Sequence, residues 1–361
     1  MLKDLVKNLK PSSTLLINET SKKLEEQGKK IFKFGFGQSP FKVPEDVVDE
    51  LKKNAHQNKY LPMQGLIELR NAVAKYTSKK KNYDYKSDNV IIGPGSKELM
   101  FLLHVIFDGE IILPAPSWVS YAPQAILGRN KIQILQTKRE NNWFPTASEI
   151  EEIILKDQKK NYKSISNYCP EKTIVSTGLS KWCGAGGWRL GYFIVPNSLN
   201  KLKDMINVLA SETFSAVSAP IQFAAIKAYE NDHSDYINKS RNILKAVGNY
   251  VYENLKSNKV LINKPQGGFY LMPEFLNKKF NSSAEMCDDI LNKTGVALLP
   301  GSDFGFEQNR MLARLSFTDF DGKKFMEEIE DGTKIDDTLI NELAPKIVEG
   351  VDKLKKWSES I

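Results

Sequence analysis

Ser176-Thr177-Gly178-Leu179-Ser180-Lys181-Trp182-Cys183-Gly184-Ala185-Gly186-Gly187-Trp188-Arg189-Leu190-Gly191-Tyr192 is the stretch that decides how this chain is read. It follows the β-branched run Thr173-Ile174-Val175, which reads as a short buried strand. It leads into Tyr192-Phe193-Ile194-Val195, a second strand-like run stopped by Pro196. The loop between them holds one lysine and, eight residues on, one arginine, with Gly184, Gly186 and Gly187 ahead of the arginine. A lysine among small residues sheds solvent, and a cationic neighbour disfavours its proton. Both effects lower its pKa and make the amine a nucleophile toward carbonyls. A guanidinium fork nearby suits a phosphate.

An amine beside a phosphate clamp is what a pyridoxal phosphate (PLP) Schiff base needs. The same residues also describe a solvated surface lysine beside a tight glycine turn. Working outward, strands and helices alternate. Residues 1–34 read as a helix stopped by Gly28 and a strand-like Ile31-Phe32-Lys33-Phe34. A helix follows from Pro44 to about Asn54, then another with apolar positions at 66, 69, 73 and 76. Val90-Ile91-Ile92 is a strand, and Gly93-Pro94-Gly95-Ser96-Lys97-Glu98 turns into an apolar helix, Leu99 to Phe107. A strand, a glycine turn and a helix N-terminus make an anion site or a plain corner. Glu110 to Leu113 and Lys131 to Gln136 are further strands, and Ser148 to Lys156 is helix-like. This order argues for a mostly parallel α/β sheet. Beyond the lysine loop, 199–209, 221–229 and the amphipathic 232–255 read as helices, the last bridging to a smaller unit. Val260-Leu261-Ile262, 268–272 and Met311 to Phe317 read as strands.

At 361 residues the chain has room for two domains. Its 41% hydrophobic and 26% charged content are those of an ordinary globular protein. No apolar run reaches membrane-span length, and the N-terminal residues lack a signal-peptide core. The net charge of +7 is scattered, which favours a solvated surface over a nucleic-acid patch. Cys169, Cys183 and Cys287 are an odd count without metal-ligand spacing, so a reducing, cytoplasmic setting and no metal are expected. Cys183, two residues past Lys181, reads as a packed side chain or a reactive thiol.

Leu179-Ser180-Lys181 through Gly187-Trp188-Arg189-Leu190-Gly191-Tyr192 resembles the PLP-lysine signature of class I/II aminotransferases of fold type I. The resemblance implies a mostly parallel sheet flanked by helices, plus a smaller α+β domain. It implies an N-terminal arm over 1–34, a large PLP-binding domain over 35–250 and a small domain over 251–361. Lys181 would hold PLP and then act as general base. Arg189, Gly95, Ser96, Lys97 and Ser180 would bind its phosphate, and Trp118 would cover the ring. Tyr60, in a Tyr-x4-Gly-x3-Leu-Arg pattern, would reach the phosphate of a neighbouring subunit, implying a homodimer with shared sites. Gly37, in Gly35-Phe36-Gly37-Gln38-Ser39-Pro40-Phe41, and Arg314, in Arg314-Leu315-Ser316-Phe317, would hold the substrate carboxylate. The Pro265-Gln266-Gly267-Gly268-Phe269-Tyr270 run is a familiar small-domain feature of the family. The implied activity moves an amino group between an L-amino acid, aspartate-like or broad, and a 2-oxo acid such as 2-oxoglutarate. Its partners are then small molecules, with neither nucleic acid nor membrane.

The sequence departs from the family in two places. A strand, an Asn-Pro-x-x-Pro-Thr-Gly loop, a helix and a strand with Asp-x-x-Tyr should precede the lysine strand, and none is here. That segment, missing near 157–162, would carry the carboxylate for the pyridine nitrogen. Asp157 and Tyr162 are the nearest substitutes. Gly178 stands where a phosphate-binding serine is common, with Thr177 or Ser180 as compensation. The second reading is therefore a catalytically impaired or silent PLP-fold protein. A nicotinamide dehydrogenase is disfavoured, because Gly184-Ala185-Gly186-Gly187-Trp188-Arg189 fails the last glycine of a dinucleotide turn.

Overall fold

The computed structural model describes residues 3–7, 9–81, 83–151, 166, 168–277, 279–330 and 332–361. The expected substitutes Asp157 and Tyr162 lie outside these, as does the end of the helix expected over 148–156. From the N-terminus the elements are α1 (Ser13–Glu26), α2 (Glu45–Lys53), α3 (Ile67–Lys81), β1 (Val90–Gly93), α4 (Ser96–Ile106), β2 (Glu110–Ala115), α5 (Tyr121–Leu127), β3 (Lys131–Gln136) and α6 (Ala147–Glu151). Then come β4 (Val175–Gly178), β5 (Gly191–Ile194), α7 (Asn200–Thr213), α8 (Ala219–Glu230) and α9 (Ser234–Leu255). The remainder is β6 (Val260–Leu261), β7 (Tyr270–Leu271), β8 (Glu274–Phe275), α10 (Ser283–Thr294), β9 (Leu299–Pro300), β10 (Ala313–Ser316), α11 (Gly322–Glu328), α12 (Asp337–Leu343) and α13 (Pro345–Glu359). Local chemistry sets several ends. α2 carries Glu45 and Asp46 in its first turn and Lys52 and Lys53 in its last, matching the helix dipole. Ser282 caps α10 by accepting from the Glu285 N–H, and Gly295 closes it in the left-handed conformation.

β5 lies between β1 and β4 and runs antiparallel to both, so β1 and β4 are parallel to each other. Side-chain alternation divides its two faces. Tyr192 and Ile194, with Val90 and Ile92 of β1, pack under α2, α3 and α8 through Val47, Leu69, Val73, Ala224 and Ala228. Phe193 and Val195, with Ile91, pack on the other side against Leu99 and Leu102 of α4 and Ile206 and Ala210 of α7. Helices thus cover both faces of this sheet. A second core gathers the C-terminal elements around Leu315, Phe317, Ile347, Val351 and Leu354. It also takes in Phe32 and Phe34 from the start of the chain and Ile243, Val247 and Val251 of α9.

Two expectations shift. The run 31–34 forms no strand; Phe32 makes a single bridge to Val296, its N–H and C=O bonded to Gly295 and Ala297. The strand before the lysine loop starts at Val175, so Thr173 and Ile174 precede it; 173–175 are half-buried rather than buried, and Ser176 and Thr177 are exposed. The cause is topological. Among the described residues β4 pairs on one side only, while β2 and β3 form a separate parallel pair. The sheet is therefore in two pieces, and its break falls at β4 and β2. Among the described residues no strand lies between β3 and β4.

Candidate active site

Gly178 and Gly191 are register partners at one end of the β4–β5 ladder. Lys181 stands three residues beyond the first and Arg189 two residues before the second, so one end of the sheet presents both cations. Glycine is required at each partner. A Cβ on Gly178 would lie 2.6 Å from the Leu190 carbonyl oxygen, which explains why no serine stands there. A Cβ on Gly191 would overlap the Ser96 N–H and lie 2.8 Å from the Gly95 carbonyl carbon. The bare Gly191 thus lets the N-terminus of α4 rest on the end of the sheet. Ser180 is half-buried, with its Cβ 3.8 Å from where a side chain on Gly186 would start.

The first cluster is cationic. Gly95 caps α4 at φ 86°, ψ 150°, a conformation essentially reserved for glycine. Arg189, itself left-handed at φ 56°, donates to the Gly186 carbonyl at 3.2 Å and the Pro94 carbonyl at 3.4 Å. Its guanidinium lies over Gly95, where a Cβ would be 2.9 Å from the arginine Cζ. Burial, and then Arg189, hold the Lys97 amine below the usual lysine range. The Lys97 Nζ also lies 5.4 Å from the ring centroid of Trp118. Two cations and a helix N-terminus that converge in this way suit an anion.

The second cluster surrounds Lys181. Its Nζ donates to the Gly37 carbonyl at 2.7 Å and lies 3.5 Å from the Tyr270 hydroxyl and 5.2 Å from the Phe269 ring centroid. Burial, then the charge of Arg314, lower its pKa from the ordinary lysine value. Arg314 is buried, 7% exposed, and donates to the Gly35 carbonyl at 2.6 Å. Its guanidinium lies between the rings of Tyr270 and Phe304, 4.5 and 4.8 Å from their centroids. Its Nε has no hydrogen-bond partner. A buried donor without a partner is costly, and a carboxylate would satisfy it.

Gly95, Ser96, Lys97, Trp118 and Arg189 are thus brought together, as are Gly37, Lys181 and Arg314. Tyr60 joins neither group; it stands 94% exposed in the single chain. Cys183 is fully buried and its thiol is pushed up to about 12 by burial and by Asp46, so the reactive-thiol reading falls. Sequence reasoning gave no role to Tyr270, although the Gly267-Gly268-Phe269-Tyr270 run was its signal. It also passed over Gly35 and Phe304.

These residues fit PLP at its phosphate, its aldehyde and a substrate carboxylate. The Gly95 cradle under Arg189, the paired cations and the orphaned Arg314 Nε each call for an anion. The charges that act on Lys97 and Lys181 come from Arg189 and Arg314 rather than from a carboxylate.

The sequence profile of the family described as Aminotransferase class I and II matches residues 29–171 and 164–324. A probable aspartate/prephenate aminotransferase of Aquifex aeolicus is 26% identical, over 83% of this chain and 90% of its own length. The aspartate aminotransferase of Bacillus sp. (strain YM-2) is 28% identical, over 84% and 92%. Among solved structures, the aspartate aminotransferase of Thermotoga maritima superposes with a TM-score of 0.80 at 23% identity, covering 99% of this chain and all of that one. An alanine aminotransferase of Pyrococcus furiosus gives 0.83 at 22% identity, with complete coverage of both. The Aquifex alignment is 360 positions long yet takes in 83% of 361 residues, about 300, which leaves about 60 positions without a counterpart here. The profile matches in two pieces that meet at 164–171, beside the break in the sheet.

Proposed function

The chain belongs to the class I and II aminotransferases, and on that premise we propose that Lys181 is its PLP lysine and Arg314 its carboxylate clamp. PLP-dependent transfer of an amino group between an amino acid and a 2-oxo acid is its activity. The observation that carries the site assignment is the convergence of Lys181 and Arg189 on one end of the β4–β5 ladder. Arg189, Lys97 and the N-terminus of α4 would hold the phosphate, and Trp118 would lie against the ring. When bound, PLP supplies the electron sink for the carbanion at the amino acid's Cα. Lys181, whose amine gives up its proton more readily through burial and then the charge of Arg314, would be the nucleophile. Its Nζ would also take the Cα proton as general base. Arg314 would grip the α-carboxylate, its unpartnered Nε supplying a donor.

The substrate proposed is an aspartate-like dicarboxylic amino acid, with 2-oxoglutarate as acceptor. The aspartate aminotransferases among its relatives support it. We propose a homodimer in which Tyr60 completes the partner's phosphate site, and 94% exposure of that side chain supports it. The large PLP-binding unit is proposed to span 35–250 and the small one 251–361, with 1–34 as an arm. No helix among the described residues is long and apolar enough to cross a membrane. The three free cysteines support a reducing, cytoplasmic setting.

Incubation with PLP, borohydride reduction and peptide mass analysis test this. A label on Lys181, with turnover that depends on the amino acid added, is expected. A label on other lysines alone, or no label, overturns the assignment.

A further inference from the structure

Two donors meet on one oxygen at the centre of the site. The Gly37 carbonyl accepts from the Lys181 ammonium at 2.7 Å and from the Tyr270 hydroxyl at 3.2 Å, with the two donors 3.5 Å apart. A carbonyl oxygen has two lone pairs, so both bonds are met at once. The arrangement cannot persist through a reaction. An amine that attacks an aldehyde, or that takes a proton from substrate, has to leave the Gly37 carbonyl. We propose that Tyr270 is a further positioning residue for amino-group transfer: its hydroxyl keeps hold of the Gly37 carbonyl, and with it the Gly35–Gly37 loop, when the Lys181 amine departs to react.

Three features of the geometry support this. The loop is fastened at two points, since Arg314 donates to the Gly35 carbonyl and Tyr270 to the Gly37 carbonyl. Tyr270 also lies beneath the Arg314 guanidinium, 4.5 Å from ring centroid to Cζ. One side chain thus supports the loop through its hydroxyl and the carboxylate clamp through its ring. Finally, position 37 has no room for a side chain, because a Cβ there would overlap the Tyr270 phenol. The glycine is therefore matched to the tyrosine, 233 residues away. The charged and titratable groups that face Lys181 are Arg314 and Tyr270, and Asp303 acts in turn on Arg314.

The inference rests on the proposed role of Lys181, and the experiment separates the two. In Tyr270→Phe the ring stays and the hydroxyl goes. Steady-state kinetics should show KM for both the amino acid and the 2-oxo acid raised about three- to tenfold, with kcat changed by less, as expected when one uncharged hydrogen bond to a binding loop is lost. The second readout needs no cofactor. Competitive acetylation of the full chain across pH, read by mass at the Lys181 peptide, gives the midpoint of that amine. Loss of the oxygen that faces the ammonium should lower the midpoint by about half a unit to one unit. A purely structural tyrosine would move neither the midpoint nor the KM-to-kcat split. Tyr236→Phe, which removes a hydroxyl bonded to the Lys42 carbonyl, serves as control and should leave both unchanged. If Tyr270→Phe does not fold, Gly37→Ala, which displaces the phenol sterically, is read for the same midpoint. A shift supports the proposal and an unmoved midpoint overturns it. Wild-type chain that takes no PLP at Lys181 would refute the proposed site, yet would leave the acetylation comparison intact.

Discussion

Gly95→Ala is the sharpest test of the phosphate cradle. At φ 86°, ψ 150° an L-residue is strained by about 1–3 kcal/mol. The new methyl would also press on the Arg189 guanidinium, whose Cζ would be 2.9 Å from it, so the guanidinium has to move away. Little restrains it, because its own bonds, to Gly186 and Pro94, are at 3.2 and 3.4 Å. A displaced guanidinium loses its charge-assisted bonds to the phosphate, about 1.5–3 kcal/mol, which is about 10- to 150-fold in Kd. Absorbance titration with PLP should show that loss. The same titration with pyridoxal, which has the aldehyde and ring but no phosphate, should show wild-type affinity in the variant. Two results would refute the reasoning: PLP affinity within twofold of wild type, or equal weakening of both aldehydes. The first would mean that Arg189 does not meet the phosphate, the second that the methyl disturbs Lys181 instead.

Three further outcomes follow from the same geometry. Arg314→Met removes a buried cation whose Nε lacks a partner, so the ligand-free chain should hold or raise its Tm while KM for carboxylate substrates rises about 10- to 100-fold; a large drop in Tm would contradict this. The Lys181 amine, held low by burial and then by Arg314, should be trapped by PLP and borohydride at a lower pH midpoint than surface lysines. Because the unfolded chain holds that proton more tightly, its penalty on folding applies below the depressed pKa and is relieved as pH rises toward about 10.4, the ordinary lysine value. Arg314→Met should move the trapping midpoint upward, and a midpoint already ordinary in wild type would disprove the effect. Gly191→Ala should cost about 1–3 kcal/mol in urea melts by pushing α4 off the sheet, and should weaken phosphate binding with it; unchanged stability would refute the close approach.

How much of this was legible beforehand depended on distance along the chain. Lys181 and Arg189 share one loop, so a local pattern revealed both, and Gly95 to Lys97 formed a recognisable strand–helix corner. Tyr192-Phe193-Ile194-Val195 read as a strand from its composition, and Gly191–Ile194 forms one. Tyr270 escaped notice because its meaning lies in a contact with Gly37, and no periodicity reports a pairing between residues so far apart. The exposure of β4 escaped for a different reason. Thr173-Ile174-Val175 has the composition of an interior strand, but burial depends on which neighbours the chain goes on to supply. The lack of an Asn-Pro loop and an Asp-x-x-Tyr strand was legible in the sequence, whereas the separation of β2 and β3 from the β1–β5–β4 sheet among the described residues took the structure to locate.

That break makes the edge of β4 measurable. β5 pairs on both sides, with Val90–Gly93 and with Val175–Gly178, so each of its amides points to a partner strand. In an antiparallel ladder the hydrogen-bonded and non-bonded pairs alternate, so a strand with one neighbour shields only every second amide. Hydrogen exchange should therefore rank Gly191–Ile194 among the slow amides of the N-terminal core, while within Val175–Gly178 alternate positions exchange fast. The exposed Ser176 and Thr177 would be poor cover for a sheet interior but are suited to an edge that meets water. Uniform slow exchange through Val175–Gly178 would refute an open edge. If that protection fell on dilution, a second copy would be covering β4; if it did not, a segment of the same chain would be paired there.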